Sequence, residues 1–148
     1  MKKINDKIEV DEVHHNKSII FSLVMKEISI IAYRETAFYN DDVKSFVFYY
    51  EKRPAGVGTY HINKGTAEIL FVGVRKQLRS KGIGKAIVSY LEKIIKNNKE
   101  VIDIVKTVGI DKFKLISILI KQNYKMRYID IFFQIGSSVC YEFVKKVK

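Results

Sequence analysis

Residues 67–91 read AEILFVGVRKQLRSKGIGKAIVSYL: an apolar strand, a basic loop carrying glycines, then an amphipathic helix. Ile69–Val74 is an unbroken apolar run, the pattern of a strand covered on both faces. From Ile83 onward, Ile83, Ala86, Ile87, Tyr90, Leu91, Ile94 and Ile95 recur at three- and four-residue spacing and form one apolar stripe. Lys85, Ser89, Glu92, Lys93 and Lys96 fall on the other side. Five cations (Arg75, Lys76, Arg79, Lys81 and Lys85) crowd the start of this helix, and no acid lies between Glu68 and Gly84. A helix N-terminus is already partly positive, so the crowding is unfavourable unless an anion sits among the cations. Backbone N–H groups at such a start hold phosphate oxygens, and Gly82 and Gly84 let the main chain come close. The segment therefore reads as a site for a phosphate-bearing cofactor.

Two better-known nucleotide motifs share this strand–loop–helix order, and neither fits. A P-loop needs a glycine where Arg79 stands and a Ser or Thr where Ala86 stands. A dinucleotide fingerprint needs a third glycine near Ile87.

What remains is Arg79-Ser80-Lys81-Gly82-Ile83-Gly84. It resembles the signature of the GNAT superfamily of acyl-CoA-dependent N-acyltransferases, Gln or Arg, two residues, Gly, any residue, then Gly or Ala. Glu68, eleven residues before Arg79, is similar in placement to the strand glutamate of the histone-acetyltransferase branch. Upstream, RPAGVGTYHINKGTAEI resembles that branch's two central strands and their hairpin. Downstream, VIDIVKTVG, FKLISILIKQN and the pair Asn123-Tyr124 occupy the place of the family's closing strand, helix and Gly-Phe pair. The likeness covers roughly residues 43–130. It implies a single N-acetyltransferase domain over residues 1–148, of α/β (α+β mixed sheet) class: a central, mostly antiparallel sheet with splayed strands, flanked by helices.

The rest of the chain agrees with one domain. A chain of 148 residues buries a substantial core but is short for two domains. No Pro- or Ser-rich linker and no internal repeat interrupts it. The pattern predicts a first strand near Lys7–Val10, one or two helices between Asn16 and Phe38, and a hairpin of Ser45–Tyr50 and Val57–Ile62 turning around Lys52–Gly56, with Pro54 in the turn. After the signature helix it predicts a strand at Val101–Val108, a helix at Lys112–Lys121, and strands at Arg127–Gln134 and Val139–Val144. The longest apolar stretch near the N-terminus, Ser18–Met25, falls well short of a membrane span. MKKINDKIEVDE lacks the apolar centre of a signal peptide. A single cysteine, Cys140, forms no internal disulfide, and a cytoplasmic protein is expected.

The resemblance also implies a mechanism: direct transfer from acetyl-CoA to a primary amine in a ternary complex. The amine must be neutral to attack, and a lysine-type ammonium has a pKa of about 10.4. A general base recovers part of that deficit, and the resemblance gives the role to Glu68. Desolvation in an apolar strand would move a carboxyl toward neutrality and suit it to the task. Val72, Gly73 and Val74 are the implied main-chain partners of the extended pantetheine arm, adding it to the sheet as a peptide adds to an edge. A backbone N–H there would polarise the thioester carbonyl. Gly73 within a strand also fits a simple β-bulge. Arg79, Ser80, Lys81, Gly82, Ile83, Gly84 and Lys85 are the implied phosphate holders.

One family feature is missing. The tyrosine that many members use to protonate the departing thiolate is replaced by Leu119, and no general acid is assigned. Tyr124 reads as a core aromatic. His14-His15 lack a third metal ligand and read as solvated. His61 lies in a strand near the implied acceptor channel, with no partner that the sequence names. Cys140 reads as a small buried hydrophobe, since direct transfer needs no cysteine. Tyr33, Tyr39, Tyr49 and Tyr50 suit either the acceptor site or the core.

A net charge of +11 raises a different class of partner, nucleic acid. The lysines are spread over the whole chain, including Lys145, Lys146 and Lys148, and no arginine-rich helix or base-stacking motif accompanies them. Basic nucleic-acid binding and a catalytically silent acyl-CoA-binding module stand as the alternatives. The acceptor stays open among a protein lysine or N-terminus, a polyamine and a small amine. Dimers are common in the family, and the final strands offer a place for a homodimer.

Overall fold

The computed structural model describes residues 1–133 and 138–148, with side chains outside 128–139. In chain order the elements are β1 (Lys2–Lys3), β2 (Ile8–Val13), α1 (Ile19–Ile28), α2 (Ile30–Glu35), β3 (Lys44–Tyr50), β4 (Arg53–Asn63), β5 (Thr66–Val74), α3 (Ile83–Lys96), β6 (Asp103–Gly109), α4 (Phe113–Lys121), β7 (Lys125–Phe133) and β8 (Ser138–Lys146). The described strands form one sheet in the order β1-β2-β3-β4-β5-β6-β8-β7. Neighbours are antiparallel except β5 and β6, which the crossover through α3 makes parallel. This is the mixed, mostly antiparallel sheet that the sequence predicts.

Helices cover both faces. Ile83, Ile87, Val88, Leu91 and Ile95 of α3 pack with Phe46, Phe48, Ile69 and Ile104 of the sheet. Each such buried side chain contributes about 1.5–3 kcal/mol of apolar burial. On the opposite face Phe21, Val24 and Met25 of α1 meet Val47, Tyr49 and Val57. The N-terminal helical region is two helices because Ser29 is extended: its N–H donates to Met25 O, closing α1, while its hydroxyl accepts from Ala32 N and opens α2. Ser18 caps α1 in the same way, accepting from Phe21 N at 3.1 Å.

Two local expectations need correction. The β3–β4 turn is made by Glu51 and Lys52, both at positive φ, and Pro54 lies inside β4. It is tolerated there because the register shifts between Phe48 and Tyr49, where a missing N–H disturbs the ladder least. Glu92, assigned by periodicity to the solvent side of α3, is buried, because Lys145 of β8 pairs with it at 2.6 Å. Gln134, the expected end of the Arg127–Gln134 strand, lies outside the described residues.

Candidate active site

β5 and β6 pair over Thr66–Glu68 and Asp103–Val105 and then separate. Beyond Glu68 one edge of β5 is therefore open. Arg75 N–H donates to Ala55 O at 2.8 Å, so Arg75, Gly73 and Phe71 face β4. By alternation, Val72 and Val74 present their N–H and C=O groups to the open edge. Gly73 thus pairs opposite Val57 and offers its main chain to β4, not to the opening. The β-bulge expected at Gly73 lies at Leu70 instead, since Thr59 pairs with Phe71 and Tyr60 with Ile69. Gly73 has a packing reason to be glycine. A Cβ there would stand 2.6 Å from the Phe71 ring and 2.9 Å from Ile28 of α1.

Two cationic side chains bracket this edge. Arg79 Nε donates to Val74 O at 3.1 Å. Lys106 Nζ donates to Leu70 O at 3.3 Å. Arg75 is committed elsewhere, to Glu27 of α1 and to Pro54 O, and Gln77 joins it on Glu27. The hydrogen bonds from Arg75 and then Gln77 hold the Glu27 carboxyl below its usual range.

The loop after β5 delivers the chain to α3 in an anion-ready conformation. Ser80 and Gly82 have φ of 66° and 79°. Gly82 is the N-cap and offers no side-chain oxygen, so the N–H groups of Ile83, Gly84 and Lys85 lack the usual cap. A Cβ on Gly82 would meet nothing within 4 Å, so the space above the helix start is open. Lys81 leans over the Tyr50 ring, 5.7 Å from its centroid. Lys114 of α4, which sequence reasoning missed, reaches the same loop and donates to Ser80 Oγ at 3.4 Å. The Ile83 side chain is core, and Gly84 packs beside Ile118 of α4. Lys85 is exposed, with its carbonyl accepting from Gln122.

At the closed end of the fork, Glu68 sits opposite His61 of β4, its Oε1 3.1 Å from His61 Nε2. The Glu68 side chain is 38 % exposed, so it is far less desolvated than its apolar strand led us to expect. Nothing in the sequence pairs these residues; only the β4–β5 register brings them together. On this face Tyr39 meets Thr59 Oγ1 at 3.2 Å, and burial raises its phenol pKa, with the charges of Glu35 and Glu68 adding to the effect. His15 lies edge-on to Tyr39, at a cavity of about 370 Å3 that Tyr33, Arg34 and Thr36 also line. His15 is buried, contrary to the solvated reading of the His14-His15 pair, and burial followed by the neighbouring His14 lowers its pKa. His14 turns to Asp41 at 3.2 Å. Among the described residues no group of three His, Cys, Asp or Glu is placed to hold a metal.

Leu119, at the position of the missing tyrosine, is fully buried. Tyr124 is a core aromatic, and burial followed by the charge of Glu92 raises its pKa. Cys140 is buried at 5 % exposure, and Tyr49 and Tyr50 belong to the core. No described helix is long and apolar enough to cross a membrane.

A model of the acetyltransferase (GNAT) family matches residues 10–112. No curated protein sequence matches the chain. Among solved structures, the IAA acetyltransferase from Bacillus cereus superposes with a TM-score of 0.81 at 14% identity, covering 94% of this chain and 99% of that one. The ribosomal-protein-S18-alanine N-acetyltransferase from Escherichia coli gives 0.81 at 9% identity, over 95% and 94% of the two chains. Arabidopsis thaliana Naa50, in complex with a CoA-Ac-MVNAL bisubstrate analogue, gives 0.72 at 16% identity, over 94% and 98%.

Proposed function

The chain belongs to the acetyltransferase (GNAT) family, an N-acetyltransferase using acetyl-CoA, and from that premise we propose that it acetylates a primary amine by direct attack in a ternary complex, with Glu68 as general base. The domain spans residues 1–148 and works in the cytoplasm. The observation that carries the reading is the open edge of β5, leading from the uncapped start of α3 to the His61–Glu68 pair.

The residues fit the donor. Backbone N–H groups of Ile83, Gly84 and Lys85, with Arg79, Ser80, Lys81, Gly82 and Lys114 around them, hold its phosphates. Val72 and Val74 take its extended arm as an added strand, and Gly73 keeps Phe71 seated below them. The donor supplies an activated acetyl group. Glu68 removes the proton of the acceptor ammonium, directly or through water, and His61 orients the carboxylate. The cavity beside His15, Tyr33 and Arg34 lies on the face that Glu68 shares with Tyr39, and it gives the acceptor a way in. A protein N-terminus, a protein lysine, a polyamine and a small amine all present the required nitrogen. The named activity of the S18-alanine enzyme puts a protein N-terminus first for testing.

The buried Leu119 favours a second reading, a module that binds acyl-CoA without turnover. Calorimetry with CoA, followed by acetylation assays on amines, separates the two. Glu68→Gln is expected to lower turnover by roughly 10²-fold with little change in CoA affinity, since a positioned base contributes about 10²–10⁴. That loss shrinks at high pH, where the amine is already neutral. A loss independent of pH removes Glu68 from the role of base.

A further inference from the structure

Lys106 is a buried ammonium, 8 % exposed, that follows directly on the last β5–β6 pair, Glu68 with Val105. It therefore stands at the floor of the fork. Its Nζ donates to Leu70 O at 3.3 Å and to Thr107 O at 3.0 Å. An ammonium has three protons to give, and among the described residues the third has no partner. A buried charge left short of a partner is costly, and an apolar side chain of the same length would tie the strands without that cost. Leu70 is the bulged residue, so its carbonyl is turned out of the β4 ladder and toward Lys106. Along the open edge the order from the phosphate loop is Val74, Val72, then Leu70 with Lys106. A donor arm laid along that edge from the start of α3 runs toward this ammonium.

We infer that Lys106 donates the proton that the departing CoA sulfur takes up, filling the place that Leu119 leaves vacant. The inference rests on the transferase reading above. The acceptor nitrogen forms its bond to the acetyl carbonyl carbon, and the carbon–sulfur bond breaks with its electron pair on sulfur. Glu68 holds the proton lost by the nitrogen, and Lys106 Nζ gives one proton to the sulfur. The proton gained at Glu68 balances the one lost at Lys106, and exchange with solvent restores both.

Burial pushes the Lys106 pKa down to about 8, against the charges of Glu68 on β5, Cys140 on β8 and Glu35 on α2, which hold it up. A thiol of the cysteine type has a pKa of about 8.5, so the transfer is nearly balanced. Because the acid must be protonated, turnover should fall as pH rises through 8.

The test is the pKa of the thiol of bound CoA, read from the ultraviolet absorbance of its thiolate, alongside calorimetry and pH–rate profiles. Wild type is expected to bind CoA and to lower the thiol pKa below that of free CoA. Lys106→Met should bind CoA equally, lose that lowering, lose the alkaline fall, and lose kcat by roughly 10²-fold, the low end for a positioned acid. KM for acetyl-CoA should be unchanged. A wild-type thiol that titrates like free CoA overturns the inference without any variant, as does equal titration in wild type and Lys106→Met. Failure of wild type to bind CoA at all overturns the transferase reading instead.

Discussion

Gly73 has room for one hydrogen and nothing larger. A methyl group there would press on the Phe71 ring at 2.6 Å and on Ile28 at 2.9 Å, so Gly73→Ala is expected to force both side chains off their packing. Overpacking of this kind costs about 1–3 kcal/mol, to be read from urea unfolding of wild type and variant. An unchanged midpoint would mean that Phe71 swings aside freely. At this scale the sequence was legible wherever chemistry is local. Arg79, Gly82 and Glu68 declare themselves by spacing along one strand and its loop. His61, Lys106 and Lys114 do not, because each reaches the site through a register or a packing contact made by a distant segment. Lys106 in particular breaks no pattern in VIDIVKTVG. Its importance appears only when β5 and β6 are seen to part beside it.

Among the elements, α3 was read almost completely, since its apolar spacing, its glycines and its cations are contiguous. Its one misread residue, Glu92, is buried by an ion pair with β8, which no helical wheel contains. The β3–β4 turn was misread for a related reason. Proline and glycine normally mark turns, but here the turn uses Glu51 and Lys52 at positive φ and leaves Pro54 to a strand irregularity. The start of α3 carries its own test. Gly82→Asp places a carboxylate where there is steric space, and Asp tolerates the left-handed backbone better than most residues. That carboxylate is positioned to cap the helix itself and to repel phosphate. The variant should stay folded, with a melting temperature close to wild type, and show no thermal shift on adding CoA. A retained shift would place the phosphates elsewhere.

Over the whole molecule, the formal charge of +11 is the surplus of 27 cations over 16 acids, so where the unpaired cations lie matters more than the total. In the basic tail Lys145 is held by Glu92 at 2.6 Å and Lys146 by Asp103 at 3.3 Å, so two of its three lysines have an acidic partner. The paired tail offers less to a nucleic-acid track than the cations around the uncapped start of α3 offer to a compact anion. Raising salt from about 50 to about 200 mM should weaken CoA binding by less than about tenfold, whereas a protein with about 6–10 phosphate contacts on a duplex loses about 10³–10⁵. Calorimetry with CoA and with a DNA duplex at both salts decides. Tight duplex binding with the steep slope would return the nucleic-acid reading to first place.

The short pairing of β5 with β6 has a mechanical consequence. Three residue pairs join the half-sheet that ends at β5 to the one formed by β6, β8 and β7. Along the rest of their length the two strands are linked, among the described residues, by the Lys106 hydrogen bond to Leu70 O, with the helices above. The line between β5 and β6 is thus a lightly stitched seam within the sheet. On the proposed function, a donor arm laid along the open edge would be the missing thread, tying the two halves of the sheet together.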